Sequence, residues 1–154
     1  MEPSFFADAM LGRLARWLRF LGYDVRYEPA VDDCELVERA RSEGRVVLTR
    51  DHALVRERKP GSSFLVESDD PSEQLRQVAR RFALAADPAR PRRCTACNRR
   101  LDPIDSADAV RDVPPSVLRL HRTFHRCAGC GRTYWDGSHV ARFREHIGRA
   151  LAPR

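Results

Sequence analysis

Four of the five cysteines fall into two Cys-x-x-Cys pairs, a spacing that presents two thiolates to one metal ion. The pairs are Cys94 with Cys97 and Cys127 with Cys130. Together they complete the tetrahedral four-sulfur shell that structural Zn²⁺ prefers. Two disulfides are the alternative, and they would require an oxidising compartment. The spacing therefore predicts a structural zinc site, provided that the protein works in a reducing compartment.

The amino terminus favours such a compartment. Arg13, Arg16 and Arg19 interrupt every apolar stretch there, so no signal peptide is predicted, and we expect a cytoplasmic protein whose thiols stay reduced. No run approaches the roughly 20 apolar residues that a membrane span requires, so no membrane partner is expected. The fifth cysteine, Cys34, is predicted to be a small packed side chain rather than a reactive thiol.

Acidic side chains follow short apolar segments in the first half of the chain. They are Asp8, Glu28, Asp51 and Asp69, and Asp33 lies shortly after the second segment. If the segments are parallel strands, side chains at their carboxyl ends gather along one edge of the sheet. Converging carboxylates repel one another unless a divalent cation neutralises them, and oxygen ligands suit Mg²⁺ or Mn²⁺. The pattern predicts a site able to hydrolyse a phosphodiester bond.

Each acid also has a purely structural interpretation. Asp32, Asp33 and Asp70 are suited to cap helices, and Asp51 is suited to cap a helix that begins at His52. A single capping aspartate is common, whereas three on one edge are harder to explain in this way. From spacing alone, both interpretations stay open.

The segments around these acids alternate between strand and helix patterns. Apolar runs at 4–7, 23–27, 45–49 and 64–66 predict four strands. Apolar residues at helical spacing predict intervening helices that begin near Met10, Asp32 or Asp33, Leu54, and Asp70. This alternation is typical of an α/β fold with a parallel sheet flanked by helices. Ser138 is predicted to cap one further helix near the carboxyl terminus.

Charge is divided unevenly along the chain. Residues 1–86 contain 14 basic and 15 acidic side chains, whereas residues 87–154 contain 14 basic and 7 acidic ones. We therefore predict two domains, an α/β domain over 1–86 and a basic zinc-ribbon module with a C-terminal helix over 87–154. Of the 28 basic residues, 27 are arginine, the side chain that forks onto phosphate. Phosphate binding is preferred to simple solubility as the reason for the basic half.

Several motifs resemble one known family in order and spacing. They are FFADAMLGRLARWLRFLGYDV, DDCELVERA, GRVVLTRD, CTAC, CAGC and YWDGSH. The chain is similar to the Mut-seven C-terminal RNase domain family, PIN-like nucleases with an appended zinc ribbon, from about Phe5 to about Ile147. The resemblance implies a PIN-like fold and a ribonuclease that depends on Mg²⁺ or Mn²⁺ at a carboxylate site.

Three acids stand in those motifs and form the implied catalytic set: Asp8 in FFAD, Asp33 at the start of DDCELVERA and Asp51 at the end of LTRD. All three are also the implied ligands of Mg²⁺ or Mn²⁺. Other acids compete for a place in the site, namely Asp32, Glu38 and Asp69.

RNA is the implied partner, whether single-stranded or structured, with tRNA among the candidates. The side chains expected to contact its phosphates are Arg13, Arg50, Arg92, Arg93 and Arg99. Arg50 has a second interpretation, which is to pair with a neighbouring acid. Tyr134 and Trp135 are predicted to fill the core of the ribbon, with stacking on RNA bases as the alternative.

A different class of function fits the same residues. In this alternative the sheet edge is inactive, and the protein is a non-catalytic adaptor whose zinc ribbon binds RNA or a protein partner. The sequence identifies no protein partner for either function.

Overall fold

Two sheets organise the chain, one parallel and one antiparallel. The computed structural model describes residues 1–153. The first half contains the strands β1 (Phe5–Ala7), β2 (Val25–Tyr27), β3 (Val46–Thr49) and β4 (Ser63–Leu65) and the helices α1 (Gly12–Phe20), α2 (Asp33–Ser42) and α3 (Pro71–Phe82). A 3-10 turn at Ala9–Leu11 precedes α1, and a short π-helix at Leu54–Arg58 follows β3.

The parallel sheet has the strand order β2-β1-β3-β4, so β1 and β3 are central. Central parallel strands are covered by helices on both faces, which explains the unbroken apolar run of β1. Phe5 and Ala7 pack in the larger core with α1 and α3, whereas Phe6 packs on the other face with Leu36 and Ala40 of α2. The predicted parallel sheet flanked by helices is confirmed.

The second half contains a three-stranded antiparallel sheet, ordered β5 (Leu101–Ile104), β6 (Phe124–Cys127) and β7 (Thr133–Trp135). Two short helices, α4 (Ser106–Ala109) and α5 (Pro115–Leu120), lie between β5 and β6. Helix α6 (Ser138–Leu151) follows β7 and packs against α3. The predicted ribbon and C-terminal helix are confirmed.

Helix α6 buries its apolar side in the core of the first half of the chain. Ile147 and Ala150 share the core that contains Phe5. The Phe143 ring meets the rings of Trp17 and Phe20 edge to face, at centroid distances of 5.5 and 4.8 Å. The division into domains at residues 86 and 87 stays a prediction, because this helix of the second segment is part of the core of the first.

Two local predictions differ from the structure. Met10 lies in the 3-10 turn rather than on the buried stripe of α1, and its side chain is 58 % exposed. Ser138 is the first residue of α6 rather than its cap, because Gly137 takes the N-cap position. By contrast, Asp70 caps α3 by accepting from the Glu73 N–H, and Pro71 fills the first helical position as predicted.

None of the helices within residues 1–153 combines the length and apolar character that crossing a bilayer would demand.

A buried arginine joins the ribbon to the parallel sheet. Arg19, only 5 % exposed, donates from Nε to the Val25 carbonyl (2.8 Å) and from Nη1 to the carbonyls of Thr95 (3.0 Å) and Ala96 (3.3 Å). The last two belong to the first Cys-x-x-Cys turn. Burial lowers the pKa of Arg19, and the nearby cysteine sulfurs and Asp24 act in the opposite direction.

Asn98 makes the matching contact from the ribbon side. Its Oδ1 accepts from the Val25 N–H (3.0 Å), and its Nδ2 donates to Asp24 Oδ1 (2.7 Å). Asp24 also accepts from Arg45 Nη1 at 2.7 Å. These contacts lie at the amino end of β2, so the ribbon is hydrogen-bonded to the parallel sheet at that end.

We expect Arg19→Met to lower the free energy of unfolding by about 2–4 kcal/mol, because three carbonyls lose their buried donor. Urea denaturation followed by circular dichroism measures this. Arg13→Met is the matched control, because Arg13 is exposed on the same helix, and its effect should stay within about 0.5 kcal/mol. Equal effects of the two substitutions would contradict a special role of the buried arginine.

Candidate functional site

Asp8 lies at the carboxyl end of the central strand β1, where it is 8 % exposed. Both of its carboxylate oxygens accept hydrogen bonds: Oδ1 from the Ala9 N–H (2.7 Å) and Oδ2 from the Thr49 hydroxyl (2.7 Å). Asp8 is thus the N-cap of the 3-10 turn, a capping role that its sequence position had not indicated. The same bonds fix the orientation of its carboxylate at the edge of the sheet.

Thr49 links Asp8 to the next acid along the edge. Its fully buried hydroxyl donates to Asp8 and accepts from the Asp51 N–H at 3.0 Å. Asp51 Oδ1 in turn accepts from the N–H groups of Ala53 (2.8 Å) and Leu54 (3.2 Å), which begins the π-helix. Thr49 was not among the residues selected from the sequence, although its place between an apolar strand and Arg-Asp in LTRD was the available signal.

Asp33 faces the other two acids from the start of α2. Partial burial raises the pKa of its carboxyl group, and the negative charges of Asp8 and Asp51 raise it further. Arg58, on the π-helix, opposes this shift. The structure therefore brings Asp8, Asp33 and Asp51 within electrostatic range of one another, and it adds a cation that the sequence analysis did not select.

The competing acids have other surroundings. Asp32 is the N-cap of α2 and accepts from the Glu35 N–H at 2.9 Å, so of the adjacent pair it is the capping residue. Glu38 is exposed on α2, five residues and about 140° around the helix from Asp33. Asp69 is exposed beyond β4, and neither it nor Glu38 is among the charges that shift the pKa of Asp33.

Glu28, the acid after β2, is neutralised within the protein. It pairs with Arg26 and with Arg39, each at 2.6 Å. The hydrogen bond and charge of Arg26 lower the pKa of Glu28. Because Glu28 is already ion-paired, the candidate site consists of the acids that follow β1 and β3 and the acid at the start of α2.

Oxygen donors and mutual repulsion make the three acids suitable for a hard divalent cation. Such a cation would relieve the repulsion that raises the pKa of Asp33. Arg50, next in the chain to Asp51, is half-buried, and its Nε is shielded from solvent without a hydrogen-bond partner within residues 1–153. No pairing of Arg50 with an acid is seen in the same range, and its predicted contact with phosphate stays a prediction.

The four predicted zinc ligands meet at one point. The Sγ atoms of Cys94, Cys97, Cys127 and Cys130 all lie within 4.8 Å of one another, with Cys94 and Cys130 3.5 Å apart and Cys97 and Cys127 3.3 Å apart. Tetrahedral Zn–S bonds of about 2.3 Å place sulfurs about 3.8 Å apart. The cluster therefore fits zinc, and the acids form no second group this compact within residues 1–153.

Two equivalent turns build the cluster. Cys94 O accepts from the Asn98 N–H (2.8 Å), and Cys127 O accepts from the Gly131 N–H (2.9 Å). Both donors lie in the left-handed region, with φ of 72° at Asn98 and 75° at Gly131. Glycine adopts this conformation freely and asparagine tolerates it, which is why each residue can stand after its Cys-x-x-Cys pair.

Hydrogen bonds prepare one sulfur for metal binding. Burial disfavours the Cys94 thiolate, but hydrogen bonds from the Tyr134 hydroxyl and the N–H groups of Cys97 and Ala96 lower the pKa of Cys94 to about 6. The Tyr134 oxygen lies 3.1 Å from this sulfur. Cys34, by contrast, is exposed rather than packed, so that prediction was wrong.

The predicted phosphate-binding arginines differ in their exposure and in whether other groups of the protein already pair with them. Arg92 is 2.9 Å from Asp136 in an ion pair, and Arg93 donates to the Asn98 carbonyl at 2.9 Å. Arg99 is exposed but lies over Gly129, where an added Cβ would be only 2.6 Å from its Cδ. Arg13 is exposed on α1. Arg13 and Arg99 are therefore the more available of these side chains.

The comparisons with known proteins agree with the motifs. The model of the family described as the Mut7-C RNAse domain matches residues 3–147. A human protein named "Exonuclease mut-7 homolog" is 49 % identical over 37 residues, which cover 23 % of this chain and 4 % of the human protein. The match thus spans only a small part of that relative. No solved structure matches the chain.

Zinc binding can be tested with a pair of cysteine variants. We expect about one zinc ion per chain in the wild type and marked loss of zinc in Cys94→Ser, with protease sensitivity appearing first after residue 87. Cys34→Ser is the control, because Cys34 lies outside the cluster and should leave the zinc content unchanged. Mass spectrometry measures the zinc content. Full zinc content in Cys94→Ser would contradict the four-sulfur site.

Proposed function

The chain belongs to the Mut7-C RNAse domain family, and from this premise we propose that it is a ribonuclease that hydrolyses RNA phosphodiester bonds. The proposed site uses Mg²⁺ or Mn²⁺ held by Asp8, Asp33 and Asp51. The observation that carries the proposal is geometric: Asp8 and Asp51 follow the adjacent strands β1 and β3, and the Thr49 hydroxyl donates to Asp8 and accepts from the Asp51 N–H. Burial and the charges of Asp8 and Asp51 raise the pKa of Asp33 beside them. Repulsion among three acids at one edge destabilises the folded state, and a bound cation would remove that destabilisation.

The surroundings of each acid define its proposed role. Asp8 is held by Thr49 and the Ala9 N–H, so its carboxylate stays in one orientation. Asp51 uses Oδ1 for backbone bonds, while Oδ2 makes no hydrogen bond within residues 1–153 and is free to act as a ligand. Asp33 is exposed at the first position of α2 and would complete the site from the solvent side.

A bound Mg²⁺ or Mn²⁺ would supply the charge that lowers the pKa of an attacking water and neutralises the phosphodiester. The protein itself would orient the substrate. The guanidinium of Arg58 is close enough to Asp33 to act on its charge and would contact phosphate oxygens. Arg50 would join it through its terminal guanidinium nitrogens, because its Nε is shielded from solvent. Because Arg58 is exposed on the short π-helix, it can approach a strand of RNA without leaving a buried position.

The proposed role of the ribbon is to hold RNA, but its position changes how this would work. Its first Cys-x-x-Cys turn docks at the amino end of β2, whereas Asp8 lies at the carboxyl end of β1. The strands are only three residues long, so about 10 Å separate the two ends. RNA gripped by the ribbon would have to cross the face of the sheet domain to reach the acids. We propose that this activity is cytoplasmic, because free thiolates persist in a reducing compartment.

The catalytic assignment predicts that Asp8→Asn lowers RNA cleavage by about a hundredfold or more, since it removes a fixed carboxylate from the site. Cleavage of fluorescent single-stranded RNA and of tRNA, each with added Mn²⁺, measures this. Asp102→Asn is the matched control, because Asp102 is exposed on β5, and its activity should equal that of the wild type. Equal cleavage by wild type and Asp8→Asn would reject the assignment. RNA binding without cleavage by the wild type would favour the adaptor.

Metal binding has a readout apart from cleavage. We expect Mn²⁺ to raise the thermal unfolding midpoint of the wild type, because the ion binds the folded state, and to do so much less in Asp33→Asn.

The pH dependence without Mn²⁺ has a definite sign. Because the pKa of Asp33 is raised in the folded state, ionisation of this group destabilises the fold, and this penalty disappears as the pH falls through that raised value. The wild type should therefore approach Asp33→Asn in stability at acidic pH and fall below it at neutral pH.

For the Mn²⁺ measurement, an equal rise of the thermal unfolding midpoint in the wild type and in Asp33→Asn would contradict Asp33 as a ligand.

A further inference from the structure

A groove between α1, β7 and the start of α6 lies outside the acidic edge. Its volume is about 500 Å³, within the range of small-ligand sites. Five aromatic side chains line it, and we call it the aromatic groove: Trp17, Phe20, Tyr134, Trp135 and Phe143. Both tryptophans of the chain are among them.

The aromatic walls are fixed before any ligand arrives. Phe143 holds Trp17 and Phe20 by edge-to-face contacts. The Tyr134 hydroxyl lies 3.1 Å from Cys94 Sγ and 3.4 Å from Thr95 Oγ1, so the zinc cluster anchors that ring. Trp135 packs on the other side against the core around Phe124. Tyr134 and Trp135 therefore pack in the ribbon as predicted, yet each remains half-buried and lines the groove.

The charged side chains that line the groove are both cationic, namely Arg16 and Arg92. His139 also lines it, and no carboxylate lines it within residues 1–153. Arg92 is already paired with Asp136, but Arg16 is exposed and makes no ion pair within the same range. A base with its phosphate matches this combination of aromatic surface and free cation, whereas an apolar peptide would leave the cation unused.

The start of α6 adds a second feature that favours an anion. Gly137 occupies the N-cap position and no side chain caps the helix, although α6 has 14 residues. The amino end of a helix carries partial positive charge and unpaired N–H groups, which attract phosphate. His139 and Val140, in the first turn of α6, line the groove.

We propose that the aromatic groove binds a base of single-stranded RNA, with the adjacent phosphate held by Arg16 and the amino end of α6. Stacking on the fixed rings would tolerate any base, so the groove would act as a positioning site without sequence preference. The proposal rests on the proposed function, because the nuclease supplies the reason for holding a strand.

Helix α1 connects the groove to the acids. It begins at Gly12, just after the turn that Asp8 caps, and Arg13 and Arg16 are exposed three residues apart on one side of it. Arg13 and Trp17 are separated by about 6 Å along the helix axis. A strand whose base lies in the groove can thus follow Arg16 and Arg13 toward the carboxyl edge of β1.

The two tryptophans make the groove observable by fluorescence, because stacking of a base quenches tryptophan emission. The probe is a short oligouridylate, added to the full-length, zinc-loaded protein without Mg²⁺ or Mn²⁺ so that it stays intact. We expect saturable quenching, and we expect the same oligonucleotide with abasic sites to bind about tenfold more weakly and to quench little. Arg16→Glu should weaken binding of the intact probe about tenfold.

Arg80→Glu is the matched control, because it makes the same charge change on the exposed side of α3, away from the groove. It should bind and quench as the wild type does. If Arg80→Glu lost as much binding as Arg16→Glu, net charge alone would explain the effect and the proposal would be overturned. Equal quenching by the intact and abasic probes would also overturn it. Quenching by an apolar helical peptide but not by RNA would identify a protein docking site instead.

Photocrosslinking provides a second, independent readout. An oligonucleotide containing 4-thiouridine should crosslink to peptides that contain Trp17 or Trp135, and crosslinks confined to other peptides would overturn the proposal. Neither measurement depends on cleavage. RNA binding in the groove without cleavage in the presence of Mn²⁺ would contradict the proposed nuclease activity and support the proposed groove. Cleavage without binding in the groove would support the nuclease activity and contradict the groove.

Discussion

The hydrogen bonds of Thr49 hold two acids together at the carboxyl ends of the central strands, since its hydroxyl donates to Asp8 and accepts from the Asp51 N–H. The negative charges of Asp8 and Asp51 add to burial in raising the pKa of Asp33. The fold fixes two of the carboxylates by hydrogen bonds from Thr49 and from backbone N–H groups. A carboxylate that accepts such bonds keeps one orientation. A capping role is therefore compatible with the proposed role as a metal ligand, since the capping bonds set the direction in which each acid faces.

The ribbon also brings ionisable groups of like charge together, in this case cysteine sulfurs rather than carboxylate oxygens. Four sulfurs within 4.8 Å of one another can all be ionised only beside a cation, and the hydrogen bond from Tyr134 already favours the Cys94 thiolate. Within residues 1–153 the acids form a less compact group than the sulfurs, which agrees with the roles proposed for them. A structural zinc site closes its shell with protein ligands, whereas a catalytic cation needs room for water and substrate.

Arg19 and Asn98 connect the ribbon to the parallel sheet. Arg19 binds the carbonyls of the first Cys-x-x-Cys turn, and Asn98 binds the first residue of β2. Asp24 receives hydrogen bonds from both Asn98 and Arg45, which lower its pKa although burial opposes this. Because the contacts are polar and directional, the ribbon has one position on the sheet domain. That position places Tyr134 and Trp135 beside Trp17 of α1, and so it creates the aromatic groove between two segments distant in the chain.

Periodic patterns made most of the architecture predictable. Apolar strands and helices of 3.6-residue period, the cap of α3 and the two Cys-x-x-Cys pairs are local signals, because neighbouring residues alone determine them. The order of the acids after the strands identified a wider group of candidates, and only the family resemblance reduced it to Asp8, Asp33 and Asp51, which stay a prediction.

Tertiary structure decided what depends on residues far apart in the chain. It showed that Asp32 caps α2 while Asp33 faces Asp8 and Asp51, and that Arg58 lies near them. It also placed Arg19 beneath the cysteine turn, a contact across 76 residues. Sequence spacing fixes how side chains are arranged along one helix or strand. It cannot fix distances between elements, because these follow from how the buried faces pack together.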